Sequence, residues 1–432
     1  MMIQEGYLGS MKTCDGTLSA ICRIPMDVLG EIFLHCVASQ DRNPALSFAE
    51  APLLLTGICT SWRTLALSFP QLWASVHILI SCELDYNHTN HDIEARRRHY
   101  SATMAARCKL LTEWLSRSGS QKLSVSIVLP DVSSRLHFKD CEDVAVDSLF
   151  RTLLPSANRW SELNVVMPMN LFEKRLDTAI PVEWEPILQK LTLSLGGVYP
   201  PGRGPFTLLN APTLQKLTYS GPGGRFYSLL SSPPKWNRLS SFTCHDQICA
   251  KEALLLLQHC PCLVDCRITI AVSRHNTSPT LWTSSASTSA VFLKSLHIRD
   301  SETIENSTAL FNALDAPNLK WFLYERFIDS FYVRASAHCP PLSLLERSNV
   351  LTKFTLDPCE IPSNLARNFL QAARNITNFV LAVSKDRYNS PVLSYRARPS
   401  FDLDLLTPGR PDSSSEILWP GCSISQQAGS GL

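Results

Sequence analysis

The chain has 432 residues, enough to bury a large apolar core and to form two or three domains. Its 40 lysines and arginines nearly balance 38 aspartates and glutamates, so the overall charge does not favour nucleic acid or an anionic membrane as a partner. We find neither a signal peptide nor an apolar run of about eighteen residues that could cross a bilayer. We therefore expect an intracellular protein, cytoplasmic or nuclear, whose 15 cysteines remain free thiols.

The first clear pattern follows an N-terminal stretch, residues 1–20, that we expect to be disordered. From Ile24 onward apolar residues recur at steps of three and four, as they do along one side of a helix. Pro25 suits the first helical turn, where its missing N–H is no loss. The pattern predicts an amphipathic helix from about Pro25 to Val37. A polar loop with an internal proline, Ala38 to Glu50, is predicted to follow it.

A second helix is predicted to begin at Pro52 and to end before Phe69. Its apolar residues again recur at helical steps, and the residues between them are polar. After this helix, the tripeptide Gln71-Leu72-Trp73 supplies one more apolar anchor. A strand is predicted directly behind it, from Val76 to Leu79.

The order of these residues, from Ile24 to Trp73, resembles an F-box, in particular the F-box-like domains abundant in mushroom-forming fungi. The matching motifs are Ile-Pro-x-Asp-Val-Leu-x-x-Ile-Phe, then Leu-Leu-x-x-Ile-Cys-x-x-Trp-Arg-x-Leu-Ala, then Pro-x-Leu-Trp. Two features depart from the family pattern. Thr60 stands where a basic residue is common, and the Ala38 to Glu50 loop is longer than in a compact F-box.

The resemblance implies a non-catalytic receptor, the substrate-recognition subunit of an SCF-type cullin-RING ubiquitin ligase. It implies a helical F-box domain at residues 21–78 that binds a Skp-type adaptor and, through the adaptor, a cullin. Apolar and aromatic anchors of this kind fill the centres of tight interfaces. The residues that match the adaptor-facing positions of the family are Ile24, Pro25, Val28, Leu29, Ile32, Ile58, Cys59, Trp62 and Leu65.

The rest of the chain is dominated by a recurring apolar-x-x-apolar-x-apolar frame. The frame occurs nine times at steps of 24 to 32 residues, beginning at Trp160, Leu188, Leu214, Leu239, Leu263, Leu293, Leu319, Leu351 and Ile376. Each frame alternates apolar and polar residues, as a short strand with one buried face does. Segments able to form helices lie between the frames, most clearly Lys251 to His259 and Ser307 to Leu314.

These spacings predict an irregular leucine-rich-repeat-like solenoid at residues 151–388, which would bind an unidentified target protein. We expect residues 79–150 to form a linker region with a helix and the first strands. Residues 389–432, with a weak frame at Ile417 to Trp419, are expected to be weakly structured. The predicted fold class is thus α/β, with a small N-terminal helical F-box followed by a leucine-rich-repeat-like solenoid.

No motif in the sequence indicates a cofactor or a catalytic site. Three consecutive arginines, Arg96 to Arg98, lack the interleaved aromatic residues typical of nucleic-acid binding. The glycine pairs and clusters at Gly196 and Gly221 lack the spacing of a phosphate-binding loop and are predicted to be turns. Neither a metal nor a nucleic-acid or membrane partner is expected. Zinc sites usually use paired Cys-x-x-Cys spacing, and the densest group of cysteines and histidines lacks it, so buried core thiols are favoured over a zinc site. This group comprises Cys244, His245, Cys249, His259, Cys260, Cys262 and Cys266.

Two other hypotheses remain open. The chain could be a leucine-rich-repeat scaffold or interaction module outside ubiquitination, whose N-terminal helices only cap the repeats. Substitution of Trp62 and Ile32 would then lower folding stability, and adaptor binding would be absent. An enzyme with catalytic residues dispersed along the sequence is the third hypothesis.

Overall fold

A computed structural model describes most of the chain between Ile24 and Val383. The described residues are 24–39, 42–80, 93–129, 140–180, 186–197, 206–221, 236–272, 287–326, 340–356, 368–369, 371–373, 375–383 and 423–428. The N-terminal stretch for which we predict disorder lies outside these ranges. So do the weak frame at Ile417 to Trp419 and most of the segment from 389 to 432.

The helices of the described residues are concentrated before β6 and become sparser after it. They are α1 (Met26–Ala38), α2 (Leu53–Ile58), α3 (Thr60–Ser68), α4 (Ile93–Arg117), α5 (Asp140–Leu153), α6 (Met169–Phe172), α7 (Ala250–His259), α8 (Ile304–Ala313) and α9 (Leu342–Arg347). Short 3-10 helices lie at Pro70–Trp73, Leu154–Arg159 and Thr207–Asn210. The helices predicted near Pro25, Lys251 and Ser307 correspond to α1, α7 and α8.

The strands form one large sheet and one small one. They are β1 (Ser75–Leu79), β2 (Leu123–Val128), β3 (Trp160–Pro168), β4 (Lys190–Gly196), β5 (Lys216–Ser220), β6 (Ser241–Ile248), β7 (Asp265–Ala271), β8 (Thr288–Ser289), β9 (Ser295–Ser301), β10 (Leu314–Asp315), β11 (Trp321–Arg326), β12 (Lys353–Leu356), β13 (Asn378–Val383) and β14 (Ser423–Ala428). The large sheet has twelve strands in sequence order, and β8 pairs with β10 separately. The pairings between the described strands are parallel.

The structure is an α/β fold, and the predicted division into a helical F-box followed by a leucine-rich-repeat-like solenoid is wrong. One sheet begins directly after the N-terminal helices, and a single hydrophobic core runs from Leu29 to Phe379. The connections between strands do not repeat one unit: a 3-10 helix precedes β5, whereas α7 precedes β7. The apolar frame specifies a short strand with one buried face, and it specifies neither the connection nor a repeat boundary. A continuous parallel sheet therefore produces the same spacing.

The core of the sheet is a row of apolar residues in direct register across neighbouring strands. Each residue of the row is at most 2% exposed, and the aromatic pair Phe322 and Phe354 stacks with ring centroids 5.5 Å apart. Each such side chain stabilises the fold by about 1.5–3 kcal/mol. The row comprises Val76, Val125, Leu163, Leu191, Leu217, Phe242, Cys266, Leu296, Phe322, Phe354 and Phe379.

Arg347 at the end of α9 caps the preceding helix, α8. Its Nη2 donates hydrogen bonds to the carbonyl oxygens of Phe311 at 2.7 Å and of Leu314 at 2.8 Å. A cation at a helix C-terminus also interacts favourably with the helix dipole. We expect Arg347→Ala to lower the free energy of unfolding by about 1–2 kcal/mol, measured by urea titration. Arg151→Ala, on the exposed side of α5, is the control, and an equal effect there would contradict this capping role.

Candidate docking surface of the N-terminal helices

Helix α1 begins after Pro25 and is fixed by one buried side. Leu29 is 3% exposed and Phe33 is fully buried. Gly30 lies on the same side, where a Cβ atom would come within 3.1 Å of the Phe69 ring. Only a glycine permits this approach without displacing the ring. The opposite side of α1 is left to solvent.

The single helix predicted to begin at Pro52 is in fact two helices, α2 and α3. The chain is extended at Cys59, with φ −157° and ψ 171°. The Cys59 thiol accepts a hydrogen bond from the Trp62 amide at 3.5 Å, and Arg63 Nε donates to the Thr56 carbonyl at 2.7 Å. These bonds satisfy backbone groups on either side of the break. The prediction was wrong because apolar periodicity continues across the break and cysteine is an uncommon N-cap residue.

Aromatic contacts join the N-terminal helices to each other and to the rest of the fold. The Trp62 ring of α3 lies 4.9 Å from the Phe33 ring of α1, between centroids. The Trp73 ring lies 5.0 Å from that of Trp114 in α4 in an edge-to-face arrangement, and Trp73 Nε1 donates to the Ala66 carbonyl at 2.8 Å. The helices are thus held in a defined orientation on the sheet.

Residues 42–50 of the long loop between α1 and α2 cover the edge of strand β1. The His77 amide donates to the Pro44 carbonyl at 2.7 Å, which adds a bridge outside β1. Asn43 Nδ2 donates to the Ser124 carbonyl at 3.0 Å. The hydrogen bond from Arg42, together with one from the Ala45 amide, holds the pKa of Glu50 below its ordinary value. Covering an edge strand in this way protects it from pairing with another chain.

The structure separates the predicted adaptor-binding residues into an exposed and a buried group. Leu29 and Leu65 are 3% and 8% exposed and belong to the core. Ile24 and Trp62 are half-buried against it. The five that remain accessible to a partner are Pro25, Val28, Ile32, Ile58 and Cys59.

Further apolar side chains on these elements are exposed and were not among the predicted site residues. They are Met26 on α1, Leu54 on α2, Leu67 on α3 and Phe48 in the loop, of which Phe48 is 70% exposed. Of the thirteen large apolar side chains exposed in the described part of the chain, seven lie between residues 26 and 67. Such concentration is typical of an interaction surface. We call these seven residues, together with Pro25 and Cys59, the N-terminal apolar surface.

Three of the five thiols in the cysteine-rich cluster are buried, as expected of core thiols, and Cys249 is half-buried. Cys244, Cys260 and Cys266 are buried, and Cys262 is exposed. Burial raises the pKa of the Cys260 thiol to about 12, so this thiol is protonated at neutral pH. Within the residues that the structure describes, no group of three His, Cys, Asp or Glu side chains is placed to hold a metal ion.

The structure describes parts of the arginine run at residues 96–98 and of the two glycine clusters. Arg98 is exposed on α4, while the side chains of Arg96 and Arg97 lie outside the described part. Gly197 directly follows β4 and has a φ of +99°, a conformation that favours glycine. Of the second glycine cluster only Gly221 is described. None of the helices in the described ranges combines the length and apolar character needed to cross a membrane.

No family of known proteins matches the sequence. No curated protein is significantly similar to it either.

Proposed function

We propose that this chain is the substrate-recognition subunit of an SCF-type cullin-RING ubiquitin ligase. In this proposal the N-terminal apolar surface binds a Skp-type adaptor and, through it, a cullin, in the cytoplasm or the nucleus. The remainder of the chain holds a target protein. The observation that carries the proposal is the concentration of exposed apolar side chains on α1, α2 and the loop between them, in the segment that resembles an F-box.

The proposed chemistry is indirect. The chain brings target lysines close to a ubiquitin-charged enzyme and so raises their effective concentration. No residue of the chain forms or breaks a bond in this scheme.

Co-expression with a Skp-type adaptor tests the proposal. The two chains are expected to elute together as an equimolar complex in size-exclusion chromatography. Elution of the folded chain without adaptor would favour an interaction module outside ubiquitination.

A further inference from the structure

The large sheet has one accessible face, opposite the apolar row. Side chains on this face alternate with the buried ones along each strand and are half-exposed or exposed over most of the sheet. Parallel sheets are usually covered on both faces and apolar on both. An accessible polar face on a parallel sheet is therefore a surface available to a partner. We call it the open face.

Charged residues on the open face are more often basic than acidic. Two rows of side chains in register cross the strands, one through Lys190 and one through Thr192. Together with the adjoining row through Thr269, Arg299 and Glu325, these two rows place five cations beside three carboxylates. The cations are Lys190, Lys216, Arg267, Arg299 and Lys353, and the carboxylates are Glu162, Asp265 and Glu325.

Two of the three carboxylates, Glu325 and Asp265, are less exposed than the arginines beside them. The Glu325 side chain is 17% exposed and that of Arg299 is 34%, with Arg299 Nε 3.1 Å from Glu325 Oε2. The Asp265 side chain is 28% exposed and that of Arg267 is 43%. A partner that approaches this face therefore meets the cations first. The chemical group that complements the charge of the open face is therefore acidic.

Three of the five cations, Arg267, Arg299 and Lys353, lie on strands β7 to β12. Arg267 and His297 are directly paired across β7 and β9. Lys353 lies over the Trp321 ring, with its Nζ 4.7 Å from the ring centroid, and has no ion-pair partner within the described residues. Three strand spacings separate β7 from β12, or about 14 Å, which an extended peptide covers with about four residues.

We propose that the open face between β7 and β12 binds an extended acidic peptide segment of the target protein. Arg267, Arg299 and Lys353 would pair with its carboxylates, and Trp321 would contact its apolar atoms. This proposal rests on the proposed receptor function and names the class of target that the receptor takes. A nucleic acid fits less well, because Asp265 and Glu325 repel a phosphate backbone and the described face offers a single tryptophan for base stacking.

Selection from a random library of 12-residue peptides, displayed on phage and captured on the full-length chain, tests the proposal. Asp and Glu are expected to be enriched at least about twofold over the unselected library. Reversal of two charges, Arg267→Glu with Lys353→Glu, is expected to weaken a selected peptide at least ~10-fold in fluorescence anisotropy. The neutral pair Arg267→Gln with Lys353→Gln should give a smaller loss and serves if the reversed pair does not fold.

The matched control carries the same charge change on exposed helical positions, Lys109→Glu with Arg151→Glu. The proposal is overturned if the selected peptides lack acidic enrichment, or if the control pair weakens binding as much as the open-face pair. Tighter binding of single-stranded DNA than of the acidic peptide also overturns it. Adaptor retention by the Arg267→Glu, Lys353→Glu chain is expected to be unchanged, so a failure here is distinct from a failure of the receptor function.

Discussion

Replacing Ile32 and Ile58 together by aspartate is expected to abolish adaptor retention and to leave folding intact. Ile32 is 40% exposed and Ile58 is 56% exposed, so each charge remains solvated in the free chain. In a complex both charges would be buried among apolar atoms without partners. We expect at least ~30-fold weaker binding, as for the loss of a central interface anchor. The melting temperature should stay within about 2 °C of that of the unsubstituted chain.

A control of the same chemistry is available on helix α5. Val144 is 66% exposed and lies outside the N-terminal apolar surface. Val144→Asp adds an equally solvated charge, and adaptor retention should survive it. Undiminished retention by the Ile32→Asp, Ile58→Asp chain would place the contact elsewhere. The two measurements are co-purification and thermal unfolding of the same preparations.

Buried residues of the same motif are poor probes of the contact. Leu29 is 3% exposed, and Trp62 packs on Phe33. Truncation of either opens a space in the core and lowers stability by about 2–5 kcal/mol. A loss of binding would then report unfolding as much as a lost contact.

The sequence predicted individual elements better than their assembly. Helix α1 is found one residue from its predicted start, and β1 occupies the predicted strand from Val76 to Leu79. These elements depend on local periodicity, which a sequence displays directly. The architecture depends on what connects the strands, and the apolar frame carries no information about that. This is why a repeated unit was predicted and a continuous sheet with unlike connections was found.

The docking surface was predictable only in outline. Periodicity places neighbouring apolar residues such as Val28 and Leu29 on adjoining parts of a helix, and both matched the family motif. Packing against Phe69 and the sheet then decides which one is buried. Phe48 lies in a polar loop outside any stripe, so no pattern pointed to it. Its exposure becomes visible only once the loop is placed along β1.

A buried acidic group that the sequence did not signal lies at the ends of β9 and β11. Asp300 is fully buried, and its Oδ2 accepts hydrogen bonds from Tyr324 Oη at 2.7 Å and from Arg326 Nη1 at 3.1 Å. Its Oδ1 accepts from Ser307 Oγ at 2.9 Å and from the Glu302 amide at 3.0 Å. The carboxylate thus joins two strands to the first turns of α8. Burial nevertheless outweighs these contacts and raises the pKa of Asp300 above its ordinary value of 3.8.

Arg326→Leu is expected to lower the free energy of unfolding by about 3–5 kcal/mol near neutral pH, because Asp300 then stays buried without its cation. The effect should depend on pH. A raised pKa means that the folded chain holds the Asp300 proton more tightly than the unfolded chain does. The stabilising contribution of this group therefore grows as the pH falls toward 3.8. Removal of Arg326 raises the pKa of Asp300 further. The loss in free energy of unfolding caused by Arg326→Leu should therefore become smaller as the pH is lowered from about 8 to about 5, measured by urea unfolding.

Two variants separate this explanation from a general loss of packing. Arg326→Leu combined with Asp300→Asn removes the titrating group, and the deficit that remains should no longer change with pH. Arg267→Leu, on the open face of β7 with a 43% exposed side chain, should cost less than about 1 kcal/mol at either pH. A deficit of Arg326→Leu that stays constant with pH would show that Asp300 keeps its charge without Arg326. The hydrogen bonds from Tyr324 and Ser307 would then be sufficient to hold the buried carboxylate.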